Sequence, residues 1–144
     1  MAVRALGVNH VAFEVDDLDE ALAWWGRYFT FELRGRVPGM AFIDLGDQFV
    51  ALSEGRTQPP DANRHVGLVV DDKEALRTAL REAGEEVRPS GSLRMRDPSG
   101  NQIEIVDYRD VQFTKTPAVL RALGVADLGK SERAQKELAD KGLT

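Results

Sequence analysis

HVAFEVDD, His10 to Asp17, and HVGLVVDD, His65 to Asp72, are nearly one stretch written twice, and their recurrence decides the fold. His65 lies 55 residues after His10. Asp71 after Asp17, Glu86 after Glu32, Gly100 after Gly46 and Gln102 after Gln48 each lie 54 later, which places a one-residue slip at the end of the first strand. Two copies make a duplicated module rather than a solenoid, which needs more repeats. Under this register Glu104 matches Val50.

The pattern within each copy predicts its elements. Residues 8–15 alternate as a strand with Val11, Phe13 and Val15 on one face and His10, Ala12 and Glu14 on the other. Asp17 with Glu20 resembles a capping box, and Leu18, Ala21, Leu22 and Trp25 recur at helical spacing. Trp24, Trp25, Tyr28 and Phe29 read as helix packing. Strands follow at 31–37, 40–45 and 48–53. Residues 54–63, with Pro59-Pro60, have linker composition. In the second copy a strand at 65–70 precedes a helix capped by Asp71 with Glu74, carrying Ala75, Leu76, Ala79, Leu80 and Ala83 and ending at Gly84. Strands are predicted at 85–88 and 92–96. The turn Asp97-Pro98-Ser99-Gly100 leads to a last strand, 101–106, with Ile103 and Ile105 on one face and Gln102, Glu104 and Val106 on the other.

The expected fold class is therefore α+β: two tandem βαβββ modules, 5–53 and 64–108, forming a curved mixed sheet around a cavity. A helical C-terminal extension, 109–144, follows this domain of residues 1–108. Within it, Thr116-Pro117 opens a short helix that stops at Gly124, and Ser131 caps a second over 132–141. The extension could dock on a partner subunit, cover the cavity mouth or move freely.

The chain has 144 residues, 42% hydrophobic and 30% charged, as a globular protein does. It lacks cysteine, so disulfides, thiolate metal sites and thiol nucleophiles are excluded together. A net charge of −5 argues against nucleic acid or an anionic membrane as partner. No apolar run is long enough for a membrane span and no leader pattern is present, which reads as cytoplasmic.

Chemistry concentrates on one face. A carboxylate at mid-strand is unfavourable unless something pairs with it, and Glu104 sits between two isoleucines. His10 and His65 are the only histidines, occupy the same place in each module, and have small neighbours, Ala12 and Gly67. Two imidazoles and a carboxylate on three strands form a facial triad that leaves metal positions open. The competing reading pairs Glu104 with Arg94 or Arg96. Those arginines alternate onto the face opposite Met40 and Phe42; they would clamp a carboxylate or phosphonate, or else stand solvated.

NHVAFEV, ALAWWGRYFTFEL, RHVGLVVDD and DPSGNQIEI together resemble the vicinal oxygen chelate superfamily, which includes glyoxalase I, fosfomycin-resistance transferases, extradiol dioxygenases, methylmalonyl-CoA epimerase and bleomycin-binding proteins. The resemblance covers residues 5–108. It implies His10, His65 and Glu104 as ligands of one divalent metal ion (Fe, Mn, Ni or Zn), chelation of two neighbouring substrate oxygens, and a homodimer whose sites take ligands from both chains. Val50 stands where glyoxalase I has a carboxylate, Ala12 where the transferases have a threonine, and Arg94 where a tyrosine is common. Glu14 is then the nearest candidate for a general base, and Arg94, Arg96, Met40, Phe42, Val50 and Gln102 are candidates for substrate contact. The expected function is a metal-dependent lyase, transferase or dioxygenase acting on a small oxygenated substrate. The alternative is a metal-free protein of the same fold that sequesters a small molecule, such as an antibiotic; an interaction domain acting through the tail is a third reading.

Overall fold

The computed structural model describes residues 1–144, which divide into two units, Met1–Gln58 and Pro59–Thr144. The architecture is α+β with two mixed sheets and a helical C-terminal portion, as the sequence predicts. No helix is long and apolar enough to cross a membrane.

The first unit contains β1 (His10–Val15), α1 (Leu18–Tyr28), β2 (Leu33–Val37), β3 (Met40–Asp44) and β4 (Phe49–Glu54). The sheet order is β1-β4-β3-β2, with β1 parallel to β4 and the other pairs antiparallel. A parallel pair needs a crossover, which α1 begins. Asp17 caps α1 by accepting the Glu20 N–H at 2.8 Å. Leu18, Ala21 and Trp25 of α1 are buried, and Trp25 packs 6.3 Å from the ring of Phe13. The face of β1 that carries Phe13 and Val15 is thus the helix-facing one. In register with it, Val50 and Leu52 of β4 face the same way.

The second unit contains β5 (Val66–Val70), α2 (Lys73–Glu82), β6 (Leu93–Arg96) and β7 (Gln102–Asp107), in sheet order β5-β7-β6. A 3-10 turn (Tyr108–Asp110), α3 (Pro117–Ala122) and α4 (Glu132–Asp140) complete it. Thr116 and Ser131 cap α3 and α4, accepting from Val119 N–H and Ala134 N–H at 3.2 Å each.

Three expectations are corrected here. No strand forms at 85–88, so the second unit is βαββ. Arg77, itself buried on α2, donates instead to the carbonyl oxygens of Arg88 (2.6 Å) and Gly91 (2.7 Å), fixing the loop in a non-strand path, and Pro89 between them could not donate to a ladder. Asp72, not Asp71, caps α2, accepting from Ala75 N–H at 2.9 Å; Glu74 is drawn away to Arg77 at 2.7 Å, which holds its carboxyl below the usual carboxylate range.

The third correction concerns register. Ala12 pairs with Ala51, whereas Gly67, its counterpart 55 residues on, pairs with Glu104. Glu104 therefore corresponds to Ala51, and Val50 corresponds to Ile103. The expected match failed because the stretch after α2 is shorter, which drops the spacing between copies from 55 at Ala12/Gly67 to 52 at Phe42/Arg94; the connection from β6 to β7 (97–101), one residue longer than that from β3 to β4 (45–48), restores only one, to 53. Val50 is consequently 1% exposed on the helix-facing side, away from the face of His10.

The linker's end is built into the second unit. Asp61 accepts the Gln102 N–H (3.0 Å) and donates its own N–H to the Gly100 carbonyl (2.9 Å). Asp97 closes the turn by accepting from the N–H groups of Ser99 (3.0 Å) and Asn101 (2.7 Å). Gly100 has φ +89°, and Pro60 lies so close that a Cβ there would sit 2.7 Å from the proline Cβ.

The C-terminal tail docks on this unit. Val111 and Leu120 pack with Tyr108 into a buried cluster, against which Val69, Val106, Phe113, Val125 and Leu128 are also packed. Lys130 fastens it: Nζ donates to the carbonyls of Tyr108 (2.6 Å) and Val111 (3.2 Å) and lies 3.6 Å from the Tyr108 ring centroid.

Candidate functional site

The open face of the second sheet, opposite α2, carries Gln102, Glu104 and Val106 from β7. Gly67 and Val69 come from β5, and Arg94 and Arg96 from β6. His65 immediately precedes β5 and its Nε2 lies 3.4 Å from Glu104 Oε2, with about a third of each side chain exposed. Its other ring nitrogen, Nδ1, is 2.9 Å from the Asn63 carbonyl oxygen. A carbonyl only accepts, so Nδ1 carries a proton, and Nε2 is the ring atom turned toward the carboxylate. Two electron-pair donors facing each other at that distance suit a proton or a cation between them. The backbone carbonyl is the usual partner that sets the tautomer of a metal-ligating histidine.

Arg94 is directly across from Glu104 in the β6–β7 register, yet the side chain that the Glu104 carboxylate meets is that of His65. Arg94 is exposed. Arg96 is engaged locally, donating to the Gly100 carbonyl (3.1 Å) and Gln102 Oε1 (3.2 Å). Gln102 is largely buried, and its Nε2 donates to the Ala62 carbonyl at 3.4 Å, so both ends of that amide are occupied. Beside Glu104, a Cβ added to Gly67 would meet nothing within 4 Å. The small residue leaves open space where a bound group could sit.

In the first unit, His10 is exposed, its Nδ1 2.8 Å from Asn9 Oδ1, which assigns it the same tautomer as His65. Its ring stacks on Phe49, at 4.7 Å between centroids and 7° between planes. The Arg34 guanidinium lies 4.6 Å from the Phe49 centroid, and Phe42 meets Phe49 edge-on. Met40 and Phe42 pair with Ser53 and Ala51, which places them on this same face. Glu14 shares the face but lies four residues, about 13 Å, along the strand from His10. Its Oε1 accepts from the Thr57 hydroxyl at 3.3 Å. No group of three histidine, aspartate or glutamate side chains of one chain is placed to hold a metal ion.

Sequence reasoning missed Arg34, Phe49 and the carbonyl of Asn63. Phe49 shares a strand face with Ala51, so the correct register would have placed it beside His10. Arg34 falls at an irregularity in the β2–β3 pairing, between Leu33 and Gly35, that alternation does not reveal.

Comparison with curated proteins finds no match. Among solved structures, a glyoxalase family protein from Bacillus anthracis superposes with TM-score 0.62 at 22% identity, over 74% of this chain and 98% of that one. A lactoylglutathione lyase from Agrobacterium tumefaciens gives 0.59 at 24%, over 73% and 96%. A fosfomycin resistance protein from Listeria monocytogenes gives 0.59 at 16%, over 71% and 91%. These likenesses are of fold. The sequence model that matches residues 7–105 settles membership: the chain belongs to the glyoxalase/bleomycin resistance protein/dioxygenase superfamily.

Proposed function

We propose that the protein is a divalent-metal-dependent enzyme in which His65 and Glu104 hold the ion and His10 completes the ligand set. The observation that carries this is the Nδ1–H of His65 on the Asn63 carbonyl, which leaves Nε2 as the ring atom facing Glu104. Only the second module has a carboxylate at this position, Ala51 being its counterpart, so a set of two imidazoles and one carboxylate is what the duplication can offer. When bound, the ion would act as a Lewis acid on two neighbouring oxygens of a small substrate, or activate oxygen. Arg94 stands across the strand from Glu104 to receive an anionic group on that substrate. His10 is supplied by the second subunit of a homodimer, and the protein acts in the cytoplasm.

Elemental analysis of the untagged protein beside His10→Ala, His65→Ala and Glu104→Gln tests the set. Near-stoichiometric iron, manganese, nickel or zinc, lost in all three variants, is expected. Full occupancy in His65→Ala would sink it. Mixing His10→Ala with His65→Ala subunits should restore about one quarter to one half of the sites if each is shared between chains. A sequestering protein is the second reading, favoured by the Arg34–Phe49–His10 stack, which offers a ligand cation and aromatic surface without chemistry.

A further inference from the structure

We infer that the C-terminal tail is a specificity wall for the His65–Glu104 site, confining it to a short ligand whose anionic end points toward Arg94. The inference rests on the metal-site reading above. Along β7 the open face runs Gln102, Glu104, Val106, and the step from Glu104 to Val106 is about 7 Å. Along β5 it runs Gly67, Val69. The tail cluster packs on Val106 and Val69, the next residues on this face after Glu104 and Gly67.

The face therefore changes character within one step: open and polar at Glu104, Gly67 and Arg94, then covered by the cluster that includes Phe113, Leu120, Val125 and Leu128. The cover is fixed at several points. Besides Lys130, the Tyr108 hydroxyl accepts the Lys115 N–H at 3.1 Å, and Ser131 N–H donates to the Arg109 carbonyl at 2.9 Å. A ligand chelated at Glu104 can extend across the sheet toward the exposed Arg94 but meets packed apolar side chains one step along the strands, at Val106 and Val69. The favoured class is a compact anion bearing two adjacent oxygens.

Hydroxamates present two adjacent oxygens and come in graded bulk, so they serve as probes of the Co2+-loaded full-length protein, followed by visible absorption. The wild type should bind acetohydroxamate about tenfold more tightly than 2-naphthohydroxamate. Phe113→Ala and Leu120→Ala should each shrink that ratio at least threefold, leaving acetohydroxamate affinity and Co2+ stoichiometry unchanged. Phe113 is only partly buried, so its truncation keeps the test alive if Leu120→Ala does not fold. An unchanged ratio in a folded, Co2+-replete variant overturns the wall while leaving the metal site standing. Failure of the wild type to take up Co2+ overturns the metal site and the wall with it.

Discussion

Glu54 and Asp107 perform the same task one module apart: Glu54 Oε2 accepts the Leu18 N–H at 2.8 Å, and Asp107 Oδ2 accepts the Lys73 N–H at 3.1 Å. Leu18 and Lys73 each open a helix, where the first N–H groups have no partner within the helix. Each carboxylate comes from the last residue of the strand parallel to the one that leads into its helix. Glu54→Ala and Asp107→Ala should each cost about 1 kcal/mol, and the double variant about twice that, in urea denaturation. A double variant as stable as the wild type would show that water replaces both contacts.

The paired register makes Ala51 the position where a second carboxylate would stand in the first module. Ala51→Glu should strengthen Co2+ or Mn2+ binding measurably in calorimetric titration, and because Ala51 is itself buried the stability lost with the new carboxylate should return when the ion is added. Val50→Glu, one residue away, would force a charge into the helix-facing core and should destabilise by on the order of 4 kcal/mol. If the two variants behaved alike, the assignment of faces on β4 would be wrong.

Gly100 combines a left-handed backbone with contact against Pro60, and its hypothetical Cβ lies 2.9 Å even from the proline Cα. Backbone cannot swing aside as a flexible side chain can. Gly100→Ala should lower stability by roughly 2 to 3 kcal/mol, read as a drop of several degrees in the thermal midpoint.

Lys130 predicts a pH dependence. Burial pushes its ammonium below the ordinary 10.5, with Asp107 and Asp110 opposing the shift. The unfolded chain then binds this proton more tightly than the folded one, so the contribution of Lys130 to stability rises as pH climbs from its lowered value to 10.5. The difference in unfolding free energy between wild type and Lys130→Met should move in favour of the wild type from pH 8 to pH 10.5. A difference that falls over this range would contradict the burial of the ammonium.

The duplicated stretch HVAFEVDD and HVGLVVDD, the helical stripe through Leu18, Ala21 and Trp25, and the caps Asp17, Thr116 and Ser131 were legible because each is a local pattern with a local cause. The partnership of His65 with Glu104 was legible too, since alternation fixes which residues share a face. The register of β7 was not. The shortening of the stretch between α2 and β6 leaves no compositional trace, and the recurring Gly46/Gly100 and Gln48/Gln102 pairs point to the wrong spacing. Nor could the sequence show the buried guanidinium of Arg77 displacing a strand, because its partners are the carbonyls of Arg88 and Gly91, which any residue possesses. The docking of the tail escaped for a similar reason: Val111, Phe113 and Leu120 are too widely spaced to form a periodic stripe.

Pro60 and Asp61 belong by sequence to the connector but by contact to the turn before β7, whereas Gly55 and Arg56 donate to the Val15 carbonyl, so the connector is tied at both ends, each to a different unit. The two ends would answer differently to being cut. Opening the backbone between Gln58 and Pro59 would leave the second half with its own anchor, and it is there that a split gene should succeed. A break after Ala62 would strand that anchor on the wrong fragment and leave the Gln102 N–H without its acceptor.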